Sequence, residues 1–158
     1  MSTPTYLPIA TYQLSSPAAS VTFGSIDQSF RDLVIVANAT TPEVYVTFNG
    51  DTGSNYSVMW GLVYTATKYA GISNSQTKGA LSRTAWGGNV VCSIMDYSQT
   101  NKNKNWHSQA NGAVAANNAL ETITGRWASN SAITSITLQG LGAGNYPTGS
   151  SFTLFGIA

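Results

Sequence analysis

Two apolar runs near the end of the chain, in which apolar and hydroxyl residues alternate, constrain its fold more than any other feature. The runs are Ala132–Leu138 and Ser151–Ala158, and a loop rich in glycine, asparagine and proline separates them. Alternation with a period of two residues is typical of a β-strand that buries one face. Because the second run reaches the end of the chain, we expect the C-terminus to lie inside a sheet. The pattern indicates a compact all-β unit.

Similar strand-like runs recur along the chain, and turn-forming residues separate them. The predicted strands are Val21–Phe23, Arg31–Asn38, Glu43–Phe48, Tyr56–Thr65, a short strand around Ala80–Ser82, Val90–Tyr97, Trp106–Ala110 and Leu120–Trp127. Residues 70–89 are otherwise expected to form a long loop, because glycine, serine, asparagine and threonine dominate them. The tip between the last two of these strands is placed at Asn117 and Asn118. A short helix at Ala113–Ala116 is the alternative there, because alanine is the best helix former.

These elements predict an antiparallel β-sandwich of about eight or nine strands, jelly-roll-like, as one domain over residues 20–158. Residues 1–19 contain Pro4, Pro8 and Pro17, and proline favours extended backbone. We expect an extended N-terminal arm there that lies on a neighbouring molecule or leads into the first strand. The alternative is an ordinary edge segment of the same domain.

The low charge of the chain excludes several classes of function. Charged residues are 8% of the 158 residues and the net charge is +1, whereas about a quarter of the residues are charged in an ordinary domain. No basic patch predicts nucleic-acid binding, and no apolar stretch approaches the length that spans a membrane. No signal peptide follows Met1, and Cys92 is the single cysteine, so we expect synthesis in a reducing cytosol and a buried, unreactive thiol.

Residues able to carry catalysis are few. His107 is the single histidine, and no nucleophile elbow accompanies it, so we interpret it as a strand residue at a surface or interface. The carboxylates are Asp27, Asp32, Glu43, Asp51, Asp96 and Glu121. Two at a suitable separation would serve a glycosidase, but Asp27 and Asp51 lie in turn-like contexts. We predict no catalytic residue, no cofactor and no metal site.

The segment Asn49–Asn55 has its own alternatives. Its side-chain oxygens could ligate calcium, but the segment lacks the glutamate and the spacing of an EF-hand loop. Its glycines can adopt positive φ, which favours a hairpin turn.

Aromatic residues supply the remaining candidates, because tryptophan and tyrosine anchor many protein interfaces. The candidate interface residues are Tyr6, Tyr12, Trp86 and Trp106. Tyr6 and Tyr12 lie in the N-terminal arm, and Trp86 lies in a glycine-rich loop. The loops around Trp86 and Trp106 are also the candidate surface for stacking against sugars.

Three parts of the chain together resemble a family of small β-sandwich domains in virion proteins of tailed bacteriophages. They are Ser20–Ile35, Phe48–Ser57, and Ile133–Leu138 taken with Phe152–Ile157. The Asn-Gly-Asp-x-Gly-x-Asn-Tyr segment from Asn49 to Tyr56 is the most specific part. The resemblance extends from about residue 18 to the end of the chain.

This resemblance implies a structural role in the virion and carries no catalytic motif. Some members cap a tail fibre and contact the host, whereas others decorate the head shell. The chain starts at Met1 without a fibre-like region before the domain, which favours a capsid decoration or cement protein. It would be made in the host cytoplasm and bind the outer surface of the major capsid protein, as a homotrimer by the resemblance. The alternative is a tail-associated domain that binds a receptor or a host glycan.

Overall fold

Two antiparallel β-sheets hold the strands of this protein. The computed structural model describes residues 5–39, 43–64, 67–83, 88–114, 117–142 and 144–158, and no helix occurs among them. The strands are β1 (Tyr6–Gln13), β2 (Ser20–Phe23), β3 (Asp32–Ala39), β4 (Tyr45–Phe48), β5 (Tyr56–Tyr64), β6 (Thr67–Gln76), β7 (Gly79–Ala80), β8 (Gly88–Met95), β9 (Lys104–Val114), β10 (Asn117–Trp127), β11 (Ile136–Gln139) and β12 (Ser151–Ile157). The predicted all-β sandwich is confirmed, with twelve strands in these ranges.

The larger sheet has eight strands in the order β1-β12-β3-β8-β9-β10-β5-β6, and the smaller has four in the order β2-β11-β4-β7. The closing strand β12 lies between β1 and β3, so the prediction that the chain ends inside a sheet is confirmed. The other alternating run forms β11, which pairs with β2 and β4 in the small sheet.

The core lies between the two sheets and follows the alternation of the strands. Leu33 and Ile35 of β3 are fully buried, and so is Phe152 of β12. They share one apolar cluster with Val46 of β4 and Leu138 of β11 from the small sheet. Burying a side chain of this size stabilises the fold by about 1.5–3 kcal/mol. The strands predicted from alternation therefore owe their positions to this core.

The N-terminal segment is part of the sandwich. Strand β1 pairs with β12 along its whole length, from Tyr6 opposite Ile157 to Gln13 opposite Ser151. The extended conformation expected from the prolines is present. Of the two interpretations of residues 1–19, the edge segment of the same domain describes Tyr6–Gln13.

Two local predictions in the large sheet are wrong, and one alternative is excluded in part. Part of the predicted loop at residues 70–89 belongs to β6, which pairs with β5. The serine and asparagine residues of this strand did not predict it, because a strand that buries little of its surface needs no alternation of apolar residues. Asn117 and Asn118 belong to β10 rather than to a tip, since they pair with Val114 and Ala113 of β9. The same pairing excludes a helix at Ala113 and Val114, whereas residues 115–116 lie outside the described residues.

The Asn49–Asn55 segment is a connection between sheets and not a hairpin, because β4 and β5 lie in different sheets. Positive φ at Asn49 and Gly50 supports the turn chemistry that was predicted. The Asn49 side chain bonds to the segment that precedes β11, where its Oδ1 accepts a hydrogen bond from the Thr134 backbone amide at 2.8 Å. The Tyr56 hydroxyl accepts from the backbone amide of Phe48 at 2.9 Å and donates to the Asp51 carbonyl at 3.0 Å.

Candidate interaction surface

A group of exposed apolar side chains lies on the outer face of the large sheet, where β10, β5 and β6 are neighbours. In the register of β5 and β6, Met59 lies opposite Ile72. In the register of β10 and β5, Leu120 lies opposite Val63. These four side chains are exposed by 61% at Met59, 64% at Ile72, 68% at Leu120 and 43% at Val63. Clustered exposed apolar residues mark interaction sites more often than scattered ones do.

Small residues between these two pairs create a groove. Gly61 lies between Met59 and Val63 on β5, opposite Thr122 of β10 and Ala70 of β6. Because side chains alternate along a strand, Met59, Gly61 and Val63 share the outer face. We call this depression the outer groove. Its part beside Met59 and Ile72 encloses about 510 Å³.

The part of the outer groove beside Met59 and Ile72 has no charged side chain in its lining, whereas Lys68 lies opposite Val63 at the other end. Residues of the outer face line this part, namely Met59, Gly61, Ala70, Ile72, Thr122 and Thr124, and Trp60 and Gly71, which belong to the inner face by alternation, border it as well. The two threonine hydroxyls provide hydrogen-bonding groups without an ion that must be desolvated on binding. An apolar floor with a few neutral polar groups is what the centre of a protein interface requires.

The outer groove borders an edge of the large sheet, since β6 is the last of the described strands in the order. Strand β6 has ten residues, no proline and a single charge at Lys68. The opposite edge strand β1 contains Pro8 and an irregular register between Pro8 and Ala10. Proline, bulges and charges protect sheet edges from pairing with other chains. The β6 edge lacks proline, and its irregular register lies near its end, between Ser73 and Gln76 with Ser75 at positive φ. The regular stretch from Thr67 to Ser73 can accept a partner strand.

Two of the four candidate interface residues lie on β1 and are exposed. Tyr6 is 58% and Tyr12 is 42% exposed. The Tyr6 ring meets Phe155 edge-on at 6.3 Å between centroids, and the Tyr12 ring lies 5.2 Å from that of Phe23. Each ring thus packs partly on its own domain. Their role in an interface stays a prediction.

The third candidate, Trp106, is a core residue and cannot contact a partner in this fold, because it is 1% exposed. Its indole Nε1 donates to the Ala80 carbonyl at 3.0 Å. A Cβ atom at Gly125 would lie 1.9 Å, and one at Gly79 2.4 Å, from Trp106 Cζ2. The two glycines make the room that the indole occupies. The fourth candidate, Trp86, lies outside the described residues.

The residues weighed for catalysis make local structural contacts in the described part of the chain. Asp27 and Asp51 each accept a hydrogen bond from a backbone amide two residues ahead, as predicted for turns. His107 is exposed on β9 and lies 3.4 Å from the Thr124 hydroxyl, in agreement with a surface strand histidine. No group of three or more metal-ligating side chains occurs among the described residues.

Cys92 is fully buried in the core, as the sequence predicted. Burial raises the pKa of its thiol well above the ordinary value, because the thiolate would lose its hydration.

Sequence reasoning did not single out the residues of the outer groove. Met59 and Val63 were included in a predicted strand, but Ile72 was assigned to a loop. One local signal was present, since β5 carries apolar residues on both of its faces. Val58 and Trp60 lie on one face, and Met59 and Val63 lie on the other. The groove itself depends on the register of three strands, which local sequence does not specify.

No protein-family model and no curated protein matches this chain. Among solved structures, a human SPRY domain is similar with a TM-score of 0.25 and 14% sequence identity, over 92% of this chain and 96% of that chain. A likeness at this level carries no argument about fold or function. None of the described residues forms a helix that is long and apolar enough to span a membrane.

Proposed function

We propose that this protein is a non-enzymatic structural protein of a phage virion, which decorates the capsid by binding the outer surface of the major capsid protein. The observation that carries the proposal is the apolar, uncharged part of the outer groove at Met59 and Ile72, beside a strand edge without proline. The sequence resemblance described above supplies the class of particle.

The chemistry of the surface defines what it would bind. The groove offers apolar walls at Met59 and Ile72, and β6 offers backbone donors and acceptors along its edge. An extended, apolar and uncharged segment of the capsid protein satisfies both at once. Because no ion lines the part of the groove beside Met59 and Ile72, association there would not incur the desolvation cost of unpaired charges.

Repetition around the shell would turn one modest contact into large stabilisation, because each subunit already bound holds its neighbours in position. The resemblance implies a homotrimer, and the β1 edge with Tyr6 and Tyr12 is available for a contact between subunits. In this proposal the outer groove faces the capsid and β1 faces the next copy.

Rebinding to stripped particles tests the proposal. Virions freed of this protein are mixed with wild-type chain or with single variants, and the bound fraction is measured after sedimentation. Ile72→Lys and Leu120→Lys place a charge in the interface and should abolish binding. Met95→Lys is the matched control, since Met95 is 53% exposed on β8, away from the groove.

Equal binding of all three variants would contradict a role for the outer groove. Stripped particles should also lose resistance to heat and osmotic shock and regain it with the wild-type chain. Resistance that is unchanged by stripping would refute the cementing role, even if the protein does bind.

A further inference from the structure

A second concave surface lies on the opposite face of the large sheet, where the small sheet no longer covers β5. Tyr56 and Val58 are buried on the inner face of β5, whereas Trp60, Leu62 and Tyr64 on the same face are only partly buried. Together with Tyr69, Arg83 and Glu121, the last three line a cleft of about 380 Å³. We call this the aromatic cleft.

The walls of the aromatic cleft are held in place before any ligand arrives. The Arg83 guanidinium lies over the Trp60 ring at 4.8 Å from its centroid. Gly71 of β6 makes room for the same ring, since a Cβ atom there would lie 2.7 Å from Trp60 Cζ2. The Glu121 carboxylate accepts from the backbone amide of Arg83 at 2.8 Å, and Glu121 is only 4% exposed. Side chains fixed in this way lose little entropy on binding.

We propose that the aromatic cleft binds a neutral pyranose oligosaccharide. Pyranose rings present C–H faces that pack on aromatic rings, and hydroxyl groups around their rim that need donors and acceptors. Tyr69, which is 48% exposed, supplies an accessible aromatic face. Arg83 supplies several N–H donors, and Tyr69 supplies a phenolic hydroxyl.

Size and charge narrow the ligand class further. A volume of about 380 Å³ lies within the usual range of small-ligand sites and has room for one or two sugar rings. The positive charge of Arg83 and the negative charge of Glu121 oppose each other within the cleft. Because the two charges balance, the cleft offers no excess positive charge that would favour a uronic or sialic acid over an uncharged sugar.

The aromatic cleft is separate from the groove proposed to bind the capsid, since Tyr69 and Ile72 point to opposite faces of β6. A particle could carry the groove against its shell and the aromatic cleft toward the medium. The cleft uses residues from β5, β6, β10 and the segment after β7. It does not involve Trp106, where the sequence had placed a sugar surface.

Heteronuclear NMR on the wild-type chain tests the proposal, with maltotriose, cellotriose and chitotriose as separate probes at millimolar concentration. At least one probe should shift the amide signals of Leu62, Tyr69 and Arg83 in a saturable manner. Tyr69→Ala should weaken that binding roughly ten-fold or more, because it removes an exposed ring of the kind that dominates interfaces. Arg83→Gln should weaken it as well.

Ile72→Ala is the matched control, because it lies on the same strand but faces the outer groove, and it should leave sugar binding unchanged. Tyr69→Phe retains the ring and should bind more tightly than Tyr69→Ala. No shift in the cleft with any of the three probes would overturn the proposal. Binding that survives Tyr69→Ala, or a stronger response to trigalacturonic acid than to every neutral probe, would overturn it too.

Discussion

Replacing Gly125 by alanine should destabilise the sandwich severely, because the new methyl group would collide with Trp106. A Cβ atom there would lie 1.9 Å from Cζ2 and 2.1 Å from Cε2 of the indole, whereas ordinary contact begins at 3.4 Å. The ring must therefore move by about 1.5 Å. Its surroundings prevent this, since Phe48 and Tyr56 pack against it with centroids 5.7 Å and 6.4 Å away.

The expected magnitude follows from two costs. Overpacking in a close-packed core costs roughly 1–3 kcal/mol. A shift of the indole also breaks the buried bond from Nε1 to the Ala80 carbonyl, which adds about 1–3 kcal/mol. We expect a loss of about 3–5 kcal/mol of unfolding free energy. For a domain of this size, that lowers Tm by on the order of 10 °C.

Thermal unfolding followed by circular dichroism measures the effect. Gly24→Ala is the control, because a Cβ atom there meets nothing within 4 Å, and its Tm should be unchanged or slightly higher. In a Trp106→Phe background, the Gly125→Ala cost should shrink, since the smaller ring no longer reaches the methyl group. A Tm for Gly125→Ala within about 2 °C of wild type would refute the packing argument.

Three further predictions concern other parts of the sandwich. Partial desolvation acts to raise the pKa of Asp51, but hydrogen bonds from Trp127, Asn55 and the Gly53 amide hold that pKa below its ordinary value. The ionised carboxylate therefore stabilises the fold at pH values above the pKa of the unfolded state. This stabilisation is lost as the pH falls through the pKa of the folded state. Asp51→Asn should therefore lower Tm at pH 7, with a loss of about 1 kcal/mol of unfolding free energy at this site near the surface. The difference in Tm between variant and wild type should narrow below about pH 4. A difference in Tm that stays constant from pH 7 to pH 3 would contradict this prediction. Cys92 should resist Ellman's reagent at pH 8 in the native protein and react fully in denaturant, and rapid native reaction would show that the core opens. Removing residues 1–13 strips β1 from β12 and should lower Tm and promote concentration-dependent aggregation, as measured by light scattering; a monomer with an unchanged Tm would show that β1 contributes nothing.

Local alternation was sufficient to predict the strands that bury one face in the core. Strand β12 shows this, since Phe152 and Leu154 are fully buried and the intervening residues are not. Strand β6 shows the limit, because an edge strand with an exposed surface carries no such pattern. Its partner β5 determines its conformation through backbone pairing, which a single-strand pattern does not encode.

The candidate surfaces could be predicted less well, because they depend on contacts between distant segments. Trp106 was assigned to an interface because local sequence does not reveal Gly79 and Gly125, which make room for it in the core. The outer groove requires Leu120, Val63 and Ile72 to come together from three strands. The aromatic cleft requires Arg83 to cross over Trp60 after β7.

The most direct measurement of the central claim is an electron cryo-microscopy reconstruction of the virion, compared with a reconstruction of particles that lack this protein. The proposal predicts difference density on the outside of the head shell, in contact with the major capsid protein and repeated with the symmetry of the shell. The strand nearest the capsid protein should be β6, with the outer groove facing inward. Difference density confined to the tail, or no difference between the two particles, would contradict the proposal.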